Sequence, residues 1–177
     1  TGPSKAFLHP ADAEIICDPN LWADLARAAR THGFPDPDAA VEKHPGRRYL
    51  FSGRPEFTPL QEGDLLSIGR YVFRCVETPG HTPGHMCLYE PEARLLFSGD
   101  HVLDSITPNI SGWGPESHSL RDFLASLDKV AAYDIRLILP GHRNPISDHR
   151  RRIEELMVHH RVRTQEVADI LGRDTQT

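Results

Sequence analysis

The sequence contains few cysteines, and their spacing argues against two common classes of small domain. The three are Cys17, Cys75 and Cys87, and no Cys-x-x-Cys pair occurs. An odd number without that spacing argues against a disulfide scaffold and against a thiolate zinc site. We therefore interpret these cysteines as free thiols in a reducing compartment, and we expect a cytoplasmic protein.

Long apolar runs and an excess of positive charge are also missing. No stretch of 18 apolar residues occurs, so the sequence predicts no membrane span. The formal net charge of −5 gives no general basic field for nucleic acid. A local patch remains open as an interpretation, because Arg150–Arg152 is either a solvated helix face or a phosphate contact. With 177 residues, the chain is long enough for one domain with a core.

Hydrophobic periodicity predicts helices that pack on sheets, which is an α/β arrangement. Helix is predicted within Asp12–His32, over Ser119–Ala132 and from Asp148 to about Leu171. In the last helix one apolar face is predicted to run from Ile153 through Val167 to Ile170. Ser119 and Asp122 have the spacing of a capping box at a helix start.

Short apolar segments around turn residues predict strands and two hairpins. The first hairpin pairs 65–68 with 71–77, and the second pairs 86–90 with 94–98. Residues 135–139 are predicted as a short buried strand, and Ala6–Leu8 as the end of another. Residues 36–56 are polar and contain turn residues, which predicts a long loop with a short helix.

The chain contains Pro-Gly-His three times, twice in TPGHTPGH (Thr78–His85) and once at Pro140–His142. His81, Asp100 and His142 each follow the carboxyl end of a predicted strand after a glycine-containing turn. Neighbouring strands bring such ends together, and open α/β sheets place ligand sites there. Two imidazoles and one carboxylate are ligands for zinc, manganese or ferrous iron.

These segments resemble the third, fourth and fifth metal motifs of the metallo-β-lactamase superfamily, with a likeness running from about Gly63 to His142. The resemblance implies a four-layer αββα sandwich. It implies that His81 binds one metal, Asp100 bridges both and His142 binds the second. It also implies a hydrolase with two ions, zinc or else iron or manganese, whose metal-bound hydroxide attacks a small ester or thioester.

The leading metal motif of that family, His-x-His-x-Asp-His, does not occur, since no two of the 11 histidines lie two positions apart. We therefore expect the back part of a longer protein, in which the front half of the fold is absent and the metal site is incomplete. Catalytic groups other than the metals stay unassigned. Residues 1–147 are predicted as the C-terminal part of this domain. Residues 148–177 are predicted as a helix leading toward a truncated winged-helix-like region.

Four further residues are predicted to support the ligands or to face the substrate. His85 lies in the second Pro-Gly-His, and His101 directly follows Asp100. Asn109 and Trp113 lie in the loop after the Asp100 strand.

Four functions remain open, and the first is favoured. It is hydrolysis of a small ester or thioester, similar to hydroxyacylglutathione hydrolase. The second is single-strand RNA cleavage on the same fold, which Arg150–Arg152, Arg161 and Arg163 favour and the net charge does not. The third is iron-dependent redox or sulfur chemistry. The fourth is an inactive fragment.

Overall fold

The structure is a computed structural model that describes residues 5–31, 33–43, 56–113 and 117–174. The described residues form two compact units, one up to Leu60 and the other from Gln61 onward. Sheets and helices occur as predicted, so the α/β class is confirmed. The predicted domain division after residue 147 remains a prediction.

The described residues of the first unit form three helices and one pair of very short strands. Strands β1 (Phe7–Leu8) and β2 (Thr58–Pro59) pair in parallel. The helix predicted within 12–32 is two helices, α1 (Pro10–Cys17) and α2 (Leu21–Thr31). The short helix predicted in the following loop is α3 (Pro37–Glu42), whereas residues 44–55 of that loop lie outside the described residues.

The second unit is built on one five-stranded sheet. Its strands are β3 (Leu65–Ile68), β4 (Tyr71–Glu77), β5 (Met86–Glu90), β6 (Leu95–Gly99) and β7 (Leu137–Pro140), in that spatial order. The first four pair antiparallel, which confirms both hairpins, and β6 pairs with β7 in parallel. The predicted strand at 135–139 begins two residues later than expected.

Two helices of the second unit contribute to the same core as the sheet. They are α4 (Ser119–Ala131) and α5 (His149–Asp174). The buried cluster joins strand residues such as Leu96 and Ile138 to helix residues such as Phe123 and Leu156. On the opposite face of the sheet, Leu88, Phe97 and Leu139 lie side by side by register. Phe97 is 41% exposed, so this outer face is only partly covered.

Two details of these helices differ from expectation. The prediction of a capping box at Ser119 and Asp122 is wrong. The N-cap residue of α4 is His118, whose side chain forms no capping hydrogen bond, and Ser119 is already helical. The apolar face of α5 is buried only in its first turns, at Ile153 and Leu156, whereas Val167 and Ile170 are more than half exposed. Within the described residues, no helix is both long and apolar enough to cross a membrane.

Candidate metal centre

The strand directions bring the three predicted ligands to one edge of the sheet. Both β4 and β6 run antiparallel to β5, and β7 runs parallel to β6. Strands β4, β6 and β7 therefore end at the same edge, where His81, Asp100 and His142 follow them. Strand β5 starts at that edge, which places His85 beside them.

The carboxylate of Asp100 lies between the two histidines. Its Oδ2 is 3.6 Å from His81 Nε2, and its Oδ1 is 3.5 Å from His142 Nε2. Two ligand atoms each about 2.1 Å from one tetrahedral ion are roughly 3.4 Å apart. Each His–Asp pair therefore fits the ligand spacing of a shared ion, and one carboxylate oxygen faces each side.

Backbone contacts orient the ring of His81. Its Nδ1 donates to the carbonyl of Asn109 at 2.8 Å, so a neutral ring leaves the Nε2 lone pair toward Asp100. The indole Nε1 of Trp113 donates to the carbonyl of His81 at 3.0 Å. Asn109 and Trp113 thus both hold the segment that carries His81, Asn109 through its backbone and Trp113 through its side chain.

The structure places the other two predicted support residues behind the ligands. His85 Nε2 accepts from the backbone N–H of Asp100 at 3.3 Å. The His101 ring is fully buried, with its centroid 6.0 Å from that of His85 and 5.1 Å from that of Phe123. Burial lowers the pKa of His101 to about 3; the charge of His85 adds to this shift, and the backbone of Ser126 opposes it. His101 is therefore a neutral ring within the core.

The glycines of the first and third Pro-Gly-His segments allow close approach. A Cβ on Gly80 would lie 2.5 to 2.8 Å from backbone and Cβ atoms of Phe123, and its φ is +140°. A Cβ on Gly141 would lie 2.8 Å from Asp100 Oδ1. Gly141 also donates its N–H to the carbonyl of Gly99 at 2.8 Å. Glycine at position 141 therefore lets the His142 turn pack directly against the Asp100 carboxylate.

Among the residues that the structure describes, each candidate ion position has two ligand side chains. Within the described ranges, no group of three His, Cys, Asp or Glu side chains converges on one point. An isolated two-ligand position holds zinc less well than the three or four protein ligands found in zinc proteins. The described part of the candidate site therefore consists of two adjoining two-ligand positions that share Asp100.

The arginines at the start of α5 are engaged in local contacts. Arg152 donates to the carbonyls of Leu103 and Ile106 at 2.7 and 2.9 Å. Both Arg151 and Arg152 pair with Glu155, and these bonds lower the pKa of that carboxyl. Two of the three arginines in the run thus have partners within the chain, and the phosphate contact remains a prediction.

Several contributors to the site were not predicted from the sequence. Thr78, Cys87 and Ser98 form hydrogen bonds behind His85, and Arg152 holds the loop after Asp100. The repeated Thr-Pro-Gly-His pattern was the available signal for Thr78. Cys87 and Arg152 had no distinguishing pattern.

Comparison with known proteins gives consistent matches. The sequence profile described as "Metallo-beta-lactamase superfamily" matches residues 13–142. An uncharacterized protein of Aquifex aeolicus is 31% identical over 138 residues, which are 77% of this chain and 54% of that protein. Acyl-coenzyme A thioesterase MBLAC2 of Homo sapiens is 30% identical over 149 residues, 79% of this chain and 49% of that protein.

A solved structure agrees over most of the chain. The crystal structure of a metallo-beta-lactamase family protein from Thermus thermophilus superposes with a TM-score of 0.83 and 32% identity. The match covers 95% of this chain and 56% of that one. The chain thus spans about half the length of the relatives it matches.

Proposed function

Because the chain belongs to the metallo-β-lactamase superfamily, we propose that it supplies part of the metal centre of a hydrolase. In this proposal His81 and Asp100 hold one divalent ion, and Asp100 and His142 hold another. The remaining ligands would come from outside the described residues. When bound, the ions supply Lewis acidity and an activated water near neutral pH.

The observation that supports this proposal is the position of Asp100. Its two oxygens face two different imidazoles at nearly equal distances, 3.6 and 3.5 Å. A carboxylate that only formed a surface ion pair would need one partner. Imidazole and carboxylate ligands suit zinc, and they suit iron and manganese as well. We propose zinc.

The substrate class we propose is a small ester or thioester. The relative from Homo sapiens carries the name acyl-coenzyme A thioesterase, which favours a thioester. RNA cleavage is less favoured, because Arg151 and Arg152 are engaged with Glu155 and with loop carbonyls.

The test uses a longer protein that contains this chain and a complete set of ligands. His81→Ala and Asp100→Ala should each lower bound metal, measured by elemental analysis, together with thioester hydrolysis. His118→Ala is the control, because His118 is exposed at the start of α4. Normal metal content in both His81 and Asp100 variants would refute the metal assignment.

A further inference from the structure

A chain of hydrogen bonds runs through the sheet behind Asp100. It starts at the Asp100 backbone N–H, which His85 Nε2 accepts at 3.3 Å. His85 Nδ1 lies 2.8 Å from Thr78 Oγ1, and Thr78 Oγ1 lies 3.3 Å from Cys87 Sγ. Cys87 Sγ in turn lies 3.6 Å from the carbonyl of Ser98. The chain of bonds therefore returns to the segment that carries Asp100.

The groups at the two ends of this chain of hydrogen bonds fix the direction of every bond in it. A backbone N–H only donates, so His85 Nε2 is an acceptor, and a neutral ring then carries its proton on Nδ1. His85 Nδ1–H therefore donates a hydrogen bond to Thr78 Oγ1, and the threonine hydroxyl donates its own hydrogen to Cys87 Sγ. A carbonyl only accepts, so the Cys87 thiol donates to Ser98. One arrangement of protons satisfies all four contacts.

The surroundings favour that same arrangement. Thr78, Cys87 and Ser98 are fully buried, so water does not compete for their bonds. Burial raises the pKa of Cys87 to about 12, although the bond to Thr78 and the charge of Lys129 oppose this, so the sulfur keeps its proton. A Cβ on Gly99 would lie 2.7 Å from His85 Nε2, which shows how closely the ring approaches the backbone before Asp100.

We infer that His85, held as its Nδ1–H tautomer by Thr78 and Cys87, is a positioning residue that fixes Asp100 between His81 and His142. The inference rests on the proposed function, because placing Asp100 matters only if its carboxylate binds metal. His85 itself does not act as a ligand, since both ring nitrogens are engaged. Thr78 and Cys87 act through His85, since their side-chain hydrogen bonds go to His85, to each other and to the carbonyl of Ser98.

The first test reads the tautomer of the metal-free, 177-residue chain. Long-range ¹H–¹⁵N spectra of the histidine rings should show the His85 proton on Nδ1. Thr78→Ser keeps the hydroxyl and should preserve that tautomer, whereas Thr78→Val should shift the ring toward a mixture. An Nε2–H tautomer of His85 in the wild-type chain would overturn the inference without any variant.

The second test separates the two bonds of His85. In His85→Gln the side-chain oxygen takes the place of Nε2, and in His85→Asn the amide nitrogen takes the place of Nδ1. Hydrogen exchange at the Asp100 amide should stay near wild type in the first variant and be about tenfold faster or more in the second. Equal exchange in both variants would contradict the assigned role of Nε2.

Cobalt binding then distinguishes failure of this inference from failure of the proposed function. These titrations use the longer protein with a complete set of ligands. Compared with wild type, His85→Asn should bind Co²⁺ about 10- to 100-fold more weakly, and His85→Gln should bind it more tightly than His85→Asn does. If Asp100→Ala binds Co²⁺ as well as wild type does, the proposed function fails. If Asp100→Ala loses Co²⁺ while His85→Asn binds like wild type, the positioning role fails alone.

Discussion

At the scale of single residues, the glycines of the first and third Pro-Gly-His segments have different neighbours, so the same substitution should have different effects. A Cβ on Gly141 would lie 2.8 Å from Asp100 Oδ1, which is able to shift, and 3.2 Å from backbone atoms of Gly99, which need to give by only a few tenths of an ångström. We expect Gly141→Ala to change the unfolding free energy by no more than about 1 kcal/mol. Co²⁺ affinity, measured by absorption titration, should nevertheless fall about tenfold because Oδ1 is displaced.

The matched comparison is Gly80→Ala. Its new Cβ would meet the backbone of Phe123 in α4, which is unable to shift alone, and the φ of +140° adds strain. We expect a loss of about 2–5 kcal/mol in a urea titration. Gly112→Ala is the control, because no atom lies within 4 Å of its added Cβ. A Gly80→Ala variant as stable as this control would contradict the close approach.

At the scale of elements, strand β6 has one covered face and one partly covered face. Leu96 is 1% exposed beneath the helices, whereas its neighbour Phe97 is 41% exposed on the outer face. Leu96→Ala should cost about 2–5 kcal/mol because it leaves a cavity. Phe97→Ala should cost only about 1 kcal/mol, since its ring contacts Phe73 but is incompletely buried. Urea titrations of both variants measure the loss of unfolding free energy. Equal losses in Leu96→Ala and Phe97→Ala would contradict the prediction.

Helix α5 holds the loop that orients His81. Arg152 donates to two carbonyls of residues 103–106, and the same loop continues to Asn109. In Arg152→Lys the side chain no longer has the planar guanidinium that donates to both carbonyls, so the free energy of unfolding should fall by about 1–3 kcal/mol. Amide exchange over residues 103–109 should become faster. Arg150→Lys, on the exposed side of the same turn, should leave this exchange unchanged.

The strands and their ends were predictable because the signals are local. Short apolar segments stop at Pro-Gly or Ser-Gly, and the shared direction of β4, β6 and β7 then brings His81, Asp100 and His142 together. The partners of His81 were not predictable, because a backbone carbonyl such as that of Asn109 leaves no mark in the sequence. Solvent exposure of outer α5 was also missed, since helical periodicity does not report whether a partner is present.

At the scale of the whole molecule, the three proposed ligands at the sheet edge differ in their exposure to solvent and in the contacts that hold them. His81 and Asp100 are about a quarter exposed, whereas His142 is 64% exposed. His81 is held by Asn109 and Trp113, and Asp100 by His85. The matched relatives are about twice as long as this chain. The Asp100–His81 side is therefore the better organised half of the proposed centre.

Buried histidines should make the stability of the metal-free chain depend on pH. Burial lowers the folded-state pKa of His101 to about 3, and it lowers the pKa of His149 and His160 as well. The unfolded chain then binds more protons below pH about 6.5, so stability is present above that pH and is lost as the pH falls. His101 alone should remove about 2 kcal/mol between pH 7.5 and 5.0.

Urea titrations in EDTA at these two pH values measure the loss, and two variants assign it. His101→Leu removes the imidazole that packs between His85 and Phe123, so its stability should fall less steeply with acid even if it is lower at pH 7.5. His118→Gln removes an exposed imidazole and should keep the wild-type slope. If His101→Leu and wild type lose the same free energy between pH 7.5 and 5.0, the buried neutral ring of His101 is not the source of the pH dependence, because its replacement by leucine removes the group whose protonation is invoked.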